Sequence, residues 1–145
     1  KRELKIKKEL IRNGAKEVLL PQKNCKIKYL DSNRKYVNKN GIYKADVVFV
    51  PLEAGDRIEA LIKNGKKVIV IDLNPMSRSA KKATITIVDN IIRAVPLLIN
   101  KIKEYKSEEY NKNKFNGVKL KKIIKNYNNE KRLKESLKII NKNLV

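Results

Sequence analysis

The chain has no histidine and no tryptophan, and only one cysteine and one methionine among its 145 residues. Without histidine there is no Ser-His-Asp triad, no imidazole general base and no histidine zinc ligand. The lone cysteine, Cys25, excludes an internal disulfide. With no second metal ligand or imidazole base to activate it, Cys25 is read as incidental. Glycine and proline are scarce, at five and four residues. Neither GxGxxG nor GxxxxGK[ST] occurs, so the dinucleotide and P-loop signatures are missing. No apolar run approaches the ~20 residues that span a bilayer. No secretory leader is visible, and a cytoplasmic location is expected.

What the chain has in excess is positive charge, 36 Lys and Arg against 15 Asp and Glu, a net +21. Such a balance points first to nucleic acid, but its distribution argues otherwise. Residues 1–44 and 106–145 carry +10 and +8, whereas residues 45–105 carry only +3. The excess is mostly lysine, 29 Lys to 7 Arg, and aromatics make up 6% of the chain. Readers of base edges favour arginine forks, and single-strand binders favour stacked aromatics. A solvated basic surface is therefore the preferred reading, with no nucleic-acid partner expected.

Residues 45–90 hold the clearest pattern. Three short apolar runs, Val47–Val50, Val68–Ile71 and Thr84–Val88, each stop at a polar loop, and an amphipathic helix with Ile58, Leu61 and Ile62 on its buried side separates the first two. A strand, helix and strand in so short a span predict a right-handed parallel crossover. The first strand, continuous in apolar residues, is expected to be buried on both faces. Asp56-Arg-Ile-Glu59 has capping-box spacing, and Asn64-Gly65 is the stop. A lysine-rich helix is expected over 2–13, ended by Gly14, followed by a short strand over 15–20. Residues 22–44 read as a long polar loop with a short ribbon at Lys26–Leu30, and loops of this length are often functional. A helix over Asn90–Glu104 is expected to bury Ile91, Ile92, Val95, Leu98, Ile99 and Ile102, with Pro96 kinking it. Helices near Val118–Asn126 and Glu130–Asn141 close the chain, with Leu120, Ile123 and Ile124, then Leu133, Leu137 and Ile140, as their apolar stripes. The expected organisation is an α/β, Rossmann-like three-layer domain with a mostly parallel sheet over 1–105, and a basic two-helix tail over 106–145. The chain starts at Lys1 inside a helical pattern rather than at Met, as a portion of a longer protein would.

In open α/β sheets, ligands sit outside the carboxyl ends of the strands. Three loops meet that edge. In Glu53–Arg57, Gly55 permits a sharp turn, and the helix that follows offers N–H groups to an anion; Gly55, Asp56 and Arg57 are candidate substrate or phosphate contacts, while Asp56 also fits a plain helix cap. In Asp72–Ser79, Asp72 suits ribose hydroxyls, Asn74 a polar edge, and Arg78 and Ser79 a phosphate. A self-satisfied turn with a surface salt bridge fits the same spacing. In the third loop, Asp89 and Asn90 serve as caps or as ligand contacts. Spacing alone reaches a nucleotide or phosphate site and no particular reaction.

The run ADVVFVPLEAGDRIEALIKNGKKVIVIDLNPMSRSAKKATITIVDNIIRAVP, supported upstream by NGAKEVLL and GIYKAD, resembles the archaeal 4-phosphopantoate–β-alanine ligase family, also called archaeal phosphopantothenate synthetase. GDR, IDLNPMSR and TIVDN occur in order, and the likeness covers residues 1–103 well and the tail loosely. The resemblance implies an ATP-dependent ligase of coenzyme A biosynthesis. It would join 4-phosphopantoate to β-alanine through an acyl-adenylate, releasing AMP and diphosphate, with Mg²⁺ accompanying ATP and a homodimer as the assembly. It carries ATP contacts onto Asp72, Leu73, Asn74, Arg78, Ser79, Asn90 and Ile91, and no dedicated metal ligand. The resemblance also implies a further stretch before the position of Lys1, with basic residues and a glycine-containing segment that complete the ATP site, so the N-terminal part of the family fold is expected to lie outside this sequence. A nucleotide-binding α/β fragment without catalysis is the first alternative, and a basic nucleic-acid-binding protein the second.

Overall fold

A computed structural model of the chain describes residues 2–52, 54–107 and 117–143, with the side chains of 117–120 left aside. The expected Glu53 of the first loop and the apolar side chain of Leu120 lie outside the described residues. Helix α1 (Arg2–Arg12) ends as expected at Gly14, whose φ of +92° only glycine adopts without strain. The Gly14 N–H donates to Ile11 O and the Ala15 N–H to Leu10 O, both at 3.0 Å, a Schellman closure. The strand expected over 15–20 does not form. It has no ladder partner among the described residues, and the Leu20 carbonyl instead accepts from the Asn38 side chain.

Residues 22–44 are more ordered than their polarity suggests. The ribbon lies at Lys26 paired antiparallel with Tyr36, followed by a 3₁₀ turn (Asn33–Lys35) and a π turn (Lys39–Tyr43). Cys25, Ile27, Leu30 and Val37 point inward and join the core. Side-chain bonds pin this segment to the next elements. Asn64 donates to Lys28 O and accepts from Lys28 N–H, and the Lys66 ammonium bridges the carbonyls of Tyr43 and Ala45.

Three parallel strands follow, β1 (Val47–Val50), β2 (Lys67–Ile71) and β3 (Ile85–Ile87), in the order β1-β2-β3, with helices on both sides of the sheet. Register runs Val48 to Val68, Val50 to Val70 and Val70 to Thr86. The crossover helix α2 (Gly55–Lys63) buries Ile58, Ala60 and Leu61 against Val48, Val68 and Val70. Strand β1, expected to be buried on both faces, is buried on one. It is an edge strand, and Val47 and Phe49 on its other side are 53% and 42% exposed. Helix α3 (Arg78–Lys82) leads into β3, and α4 (Ile91–Lys106) runs on through Pro96. Of the apolar stripe expected to be buried on α4, Ile92 is 78% exposed, Ile99 and Ile102 are also exposed, and Ile91, Val95 and Leu98 are half-buried; the buried residue of this helix is Ala94, outside that stripe. Apolar periodicity shaped the helix, but little of the described chain packs on it.

Two helices end the chain, α5 (Gly117–Asn126) and α6 (Asn129–Lys142). Ile123 and Ile124 are exposed, while Leu133 is buried. Asn129 ties α6 to the sheet, donating to the carbonyls of Ala80 and Ala83 and accepting from the Thr86 N–H. No described helix is long and apolar enough to cross a membrane.

Candidate functional site

The carboxyl ends of β2 and β3 are hydrogen-bonded neighbours, so the loops that leave them share one edge. The Asp72 N–H donates to Ile87 O, and the Asp89 N–H turns back onto the same carbonyl, both at 3.1 Å. Asp72 is buried, and both its oxygens are in use: Oδ1 accepts from Asn74 N–H at 2.9 Å and Oδ2 from the Ser77 hydroxyl at 2.5 Å. Asn74 Oδ1 accepts in turn from Met76 N–H, while its amide NH₂ has no partner among the described residues. The Ser77 hydroxyl caps α3 by accepting from Ala80 N–H. The loop is thus a preformed turn whose polar side chains hold one another.

Leu73 is exposed beside this turn. Arg78 leaves α3 toward α2 and pairs with Glu59, Nη2 at 2.5 Å and Nε at 3.1 Å. That bond raises the Arg78 pKa and lowers that of Glu59, which also reaches Lys63. The stem of Arg78 lies over Gly55, where an added Cβ would come within 3.3 Å of it. The glycine therefore serves close approach of α3 to the head of α2. Ser79 is fully buried, and its hydroxyl has no partner among the described residues.

Asn90 caps α4 through a bond from Ile92 N–H, placing Ile91 as the first helical residue. Asp89 accepts from Asn90 N–H and pairs with Arg93; these hold its carboxyl below the usual range. At α2, the capping box read from Asp56 and Glu59 is not formed. The cap position is Ala54, which offers no side chain, and Asp56 sits inside the first turn, where its negative charge suits the helix dipole. Its carboxylate accepts from Arg57 N–H and pairs with Arg34.

Arg34 went unnoticed in the sequence because nothing local marks it. It meets Asp56 only because the Asn64–Lys28 bonds and the ribbon fold the long loop against α2. Arg57, beside it, is half-buried, and its Nε is fully buried without a partner among the described residues. Desolvation lowers the Arg57 pKa first, the Arg34 charge lowers it further, and Asp56 partly opposes them.

The described residues hold no group of three or more His, Cys, Asp or Glu side chains placed to grip a metal.

Residues 1–143 match the model of the phosphopantothenate/pantothenate synthetase family. The chain belongs to that family. Among curated relatives of this synthetase family, the 4-phosphopantoate–β-alanine ligase of Thermococcus kodakarensis is 47% identical over 124 residues, 83% of this chain and 44% of that protein. The ligase of the same name from Thermococcus onnurineus is 51% identical over 108 residues, 74% of this chain and 39% of its own. That of Methanosarcina mazei is 42% identical over 139 residues, 96% of this chain and 52% of its own. The chain spans about half the length of the curated synthetase relatives it matches.

Proposed function

We propose that this chain is the nucleotide-binding portion of an ATP-dependent ligase that joins 4-phosphopantoate to β-alanine, giving 4′-phosphopantothenate, AMP and diphosphate in coenzyme A biosynthesis. The observation that carries the reading is the shared carboxyl edge of β2 and β3 in a chain of this family, fixed by the bond from Asp72 N–H to Ile87 O. The nucleotide would lie across Asp72, Leu73 and Asn74, with Asn90 and Ile91 on its other side. Arg78 would attend the phosphates, and Ser79, read as a contact of the same phosphates, is wholly buried and would reach them only if the turn at the head of α3 shifted. Arg78, 61% exposed along its side chain, would exchange Glu59 for phosphate.

The chemistry suits a chain without histidine. A pantoate carboxylate oxygen bonds to the α-phosphorus as the bond to the diphosphate leaving group breaks. The β-alanine amine then bonds to the acyl carbon, AMP leaves on its phosphate oxygen, and the amine proton passes to solvent. Both steps depend on alignment and on charge held near phosphates more than on a titrating base. Mg²⁺ bound with ATP, a homodimer and a cytoplasmic location belong to the same proposal. Release of AMP from ATP that requires both 4-phosphopantoate and β-alanine tests it; AMP release independent of either acid overturns it. Because the chain spans about half of its relatives' length, nucleotide binding without turnover is the second reading, and the same assay separates the two.

A further inference from the structure

Ala80 is fully buried and joins two parts of the molecule. Its N–H donates to the Ser77 hydroxyl oxygen at 2.9 Å, and that hydroxyl donates to Asp72 Oδ2. Its carbonyl accepts from the Asn129 amide and from the Thr86 hydroxyl, both at 2.8 Å. An unbroken line of hydrogen bonds therefore runs from the C-terminal tail to the turn at the end of β2. The Asn129 amide also donates to Ala83 O at 3.2 Å. Its Oδ1 accepts the Thr86 N–H at 2.9 Å, on the edge of β3 that no strand covers among the described residues. This corner asks for two donors and one acceptor in one plane, and a carboxamide supplies them. The neighbouring Asn128 has a different task. It caps α6 by accepting from Lys131 N–H, which leaves the Asn129 side chain to turn back onto the sheet. Leu133, one turn further on, is buried and seats the helix.

Helix α3 has five residues, too few to hold its own place. Ser77 fixes its head, and Asn129 and Thr86 fix the carbonyl of its buried residue. Bonds linked in such a line strengthen one another, so a loss at the tail end loosens the Ser77–Asp72 end. We propose that Asn129 is a positioning residue for the nucleotide: from the tail, through Ala80 and Ser77, it sets the Asp72–Ser79 turn in the form that ATP meets. The role toward ATP rests on the ligase reading, whereas the tie between tail and turn stands on the hydrogen bonds alone. In this way a tail residue 49 positions from Ala80 takes part in the site.

The test compares the wild type with Asn129→Ala, which removes the whole amide, and with Asn129→Asp. The ionised aspartate keeps an acceptor for the Thr86 N–H but has no donor for the two carbonyls. Val37→Ala, which empties core volume in the 22–44 segment away from this line of bonds, is the control for general loss of stability. Two quantities are read at neutral pH on the folded proteins: amide hydrogen exchange without ligand, and ATP affinity by calorimetric titration. The amides of Asn74, Met76 and Ala80 are all held by side-chain oxygens of the turn. In both Asn129 variants they should exchange about tenfold faster or more, and the Kd for ATP should rise about tenfold, as for one good hydrogen bond lost. In Val37→Ala both quantities should stay within about twofold of the wild type. Wild-type exchange at the three amides in both Asn129 variants overturns the proposal and leaves the ligase reading intact. So does faster exchange with unchanged ATP affinity, which reduces Asn129 to support of the fold. An equal loss of ATP affinity in Val37→Ala overturns it as well. A wild type without ATP affinity sinks the ligase reading, and the exchange rates alone then uphold or overturn the tie between tail and turn.

Discussion

The two faces of the three-stranded sheet are made of the same kinds of residue and have different surroundings. On one face Val48, Val68 and Val70 pack against Ile58 and Leu61 of α2 and are essentially out of solvent. On the other, Val47 and Phe49 lie open, and the apolar side chains of α4 that such a face would meet are largely exposed. An apolar run therefore announces a strand without saying how many of its faces are covered. Coverage is decided by elements distant in sequence, here by α2 and by the folded 22–44 segment. Scattered exposed apolar residues are ordinary, and a row of them along a strand and a helix makes a larger continuous apolar surface.

The largest way to break this contrast is to truncate matching residues on each face. Leu61→Ala, in the closed core, is expected to lose ~2–5 kcal/mol of unfolding free energy, as buried leucines do. Phe49→Ala, on the open face, is expected to lose well under half of that. Denaturant titration of both variants decides it, and equal losses would mean the open face is covered in solution. Next in size, Asn129→Ala removes the tie between α6 and the closed side, leaving the Ala83 carbonyl and the Thr86 N–H without this partner, while the Ala80 carbonyl keeps the Thr86 hydroxyl. The expected loss is ~1–3 kcal/mol, with faster hydrogen exchange at the Thr86 amide as its signature. Smaller again, Ser77→Ala removes both the α3 cap and the partner of Asp72, for a loss of ~1 kcal/mol. The smallest effect is a pH dependence at Asp89. Its carboxyl is held low, mainly by the Asn90 N–H and then by Arg93. Its contribution is present above the unfolded pKa and disappears as pH falls through the lowered folded pKa. The thermal midpoints of wild type and Asp89→Asn should therefore differ at neutral pH and converge in acid.

Local chemistry was legible where it is local. The three strands, the α2 crossover, the Gly14 stop and the Asn90 position at the head of α4 follow from periodicity and terminal residues. The loops at the β2 and β3 ends were legible too, because strand ends are where an α/β sheet exposes polar backbone. Three features were not. The Asp56 cap failed because Gly55 already begins the helix, which moves Asp56 one position inside it. The strand over 15–20 failed because a ladder needs a partner, and the sequence of one segment does not name one. The Arg34–Asp56 pair was hidden because the two are brought together by side-chain bonds from Asn64 and by the Lys26–Tyr36 bridge, neither of which leaves a local pattern.

The account stands on the β2–β3 edge being the seat of an adenine nucleotide. Titration of ATP into the chain and into Asn74→Ala tests this most directly, because Asn74 is exposed and its amide NH₂ has no partner among the described residues. The account predicts measurable ATP binding by the wild type, weakened about tenfold or more in Asn74→Ala by the loss of one good hydrogen bond, with little change in melting temperature. ATP affinity that is the same in both proteins, or absent from the wild type, would contradict it.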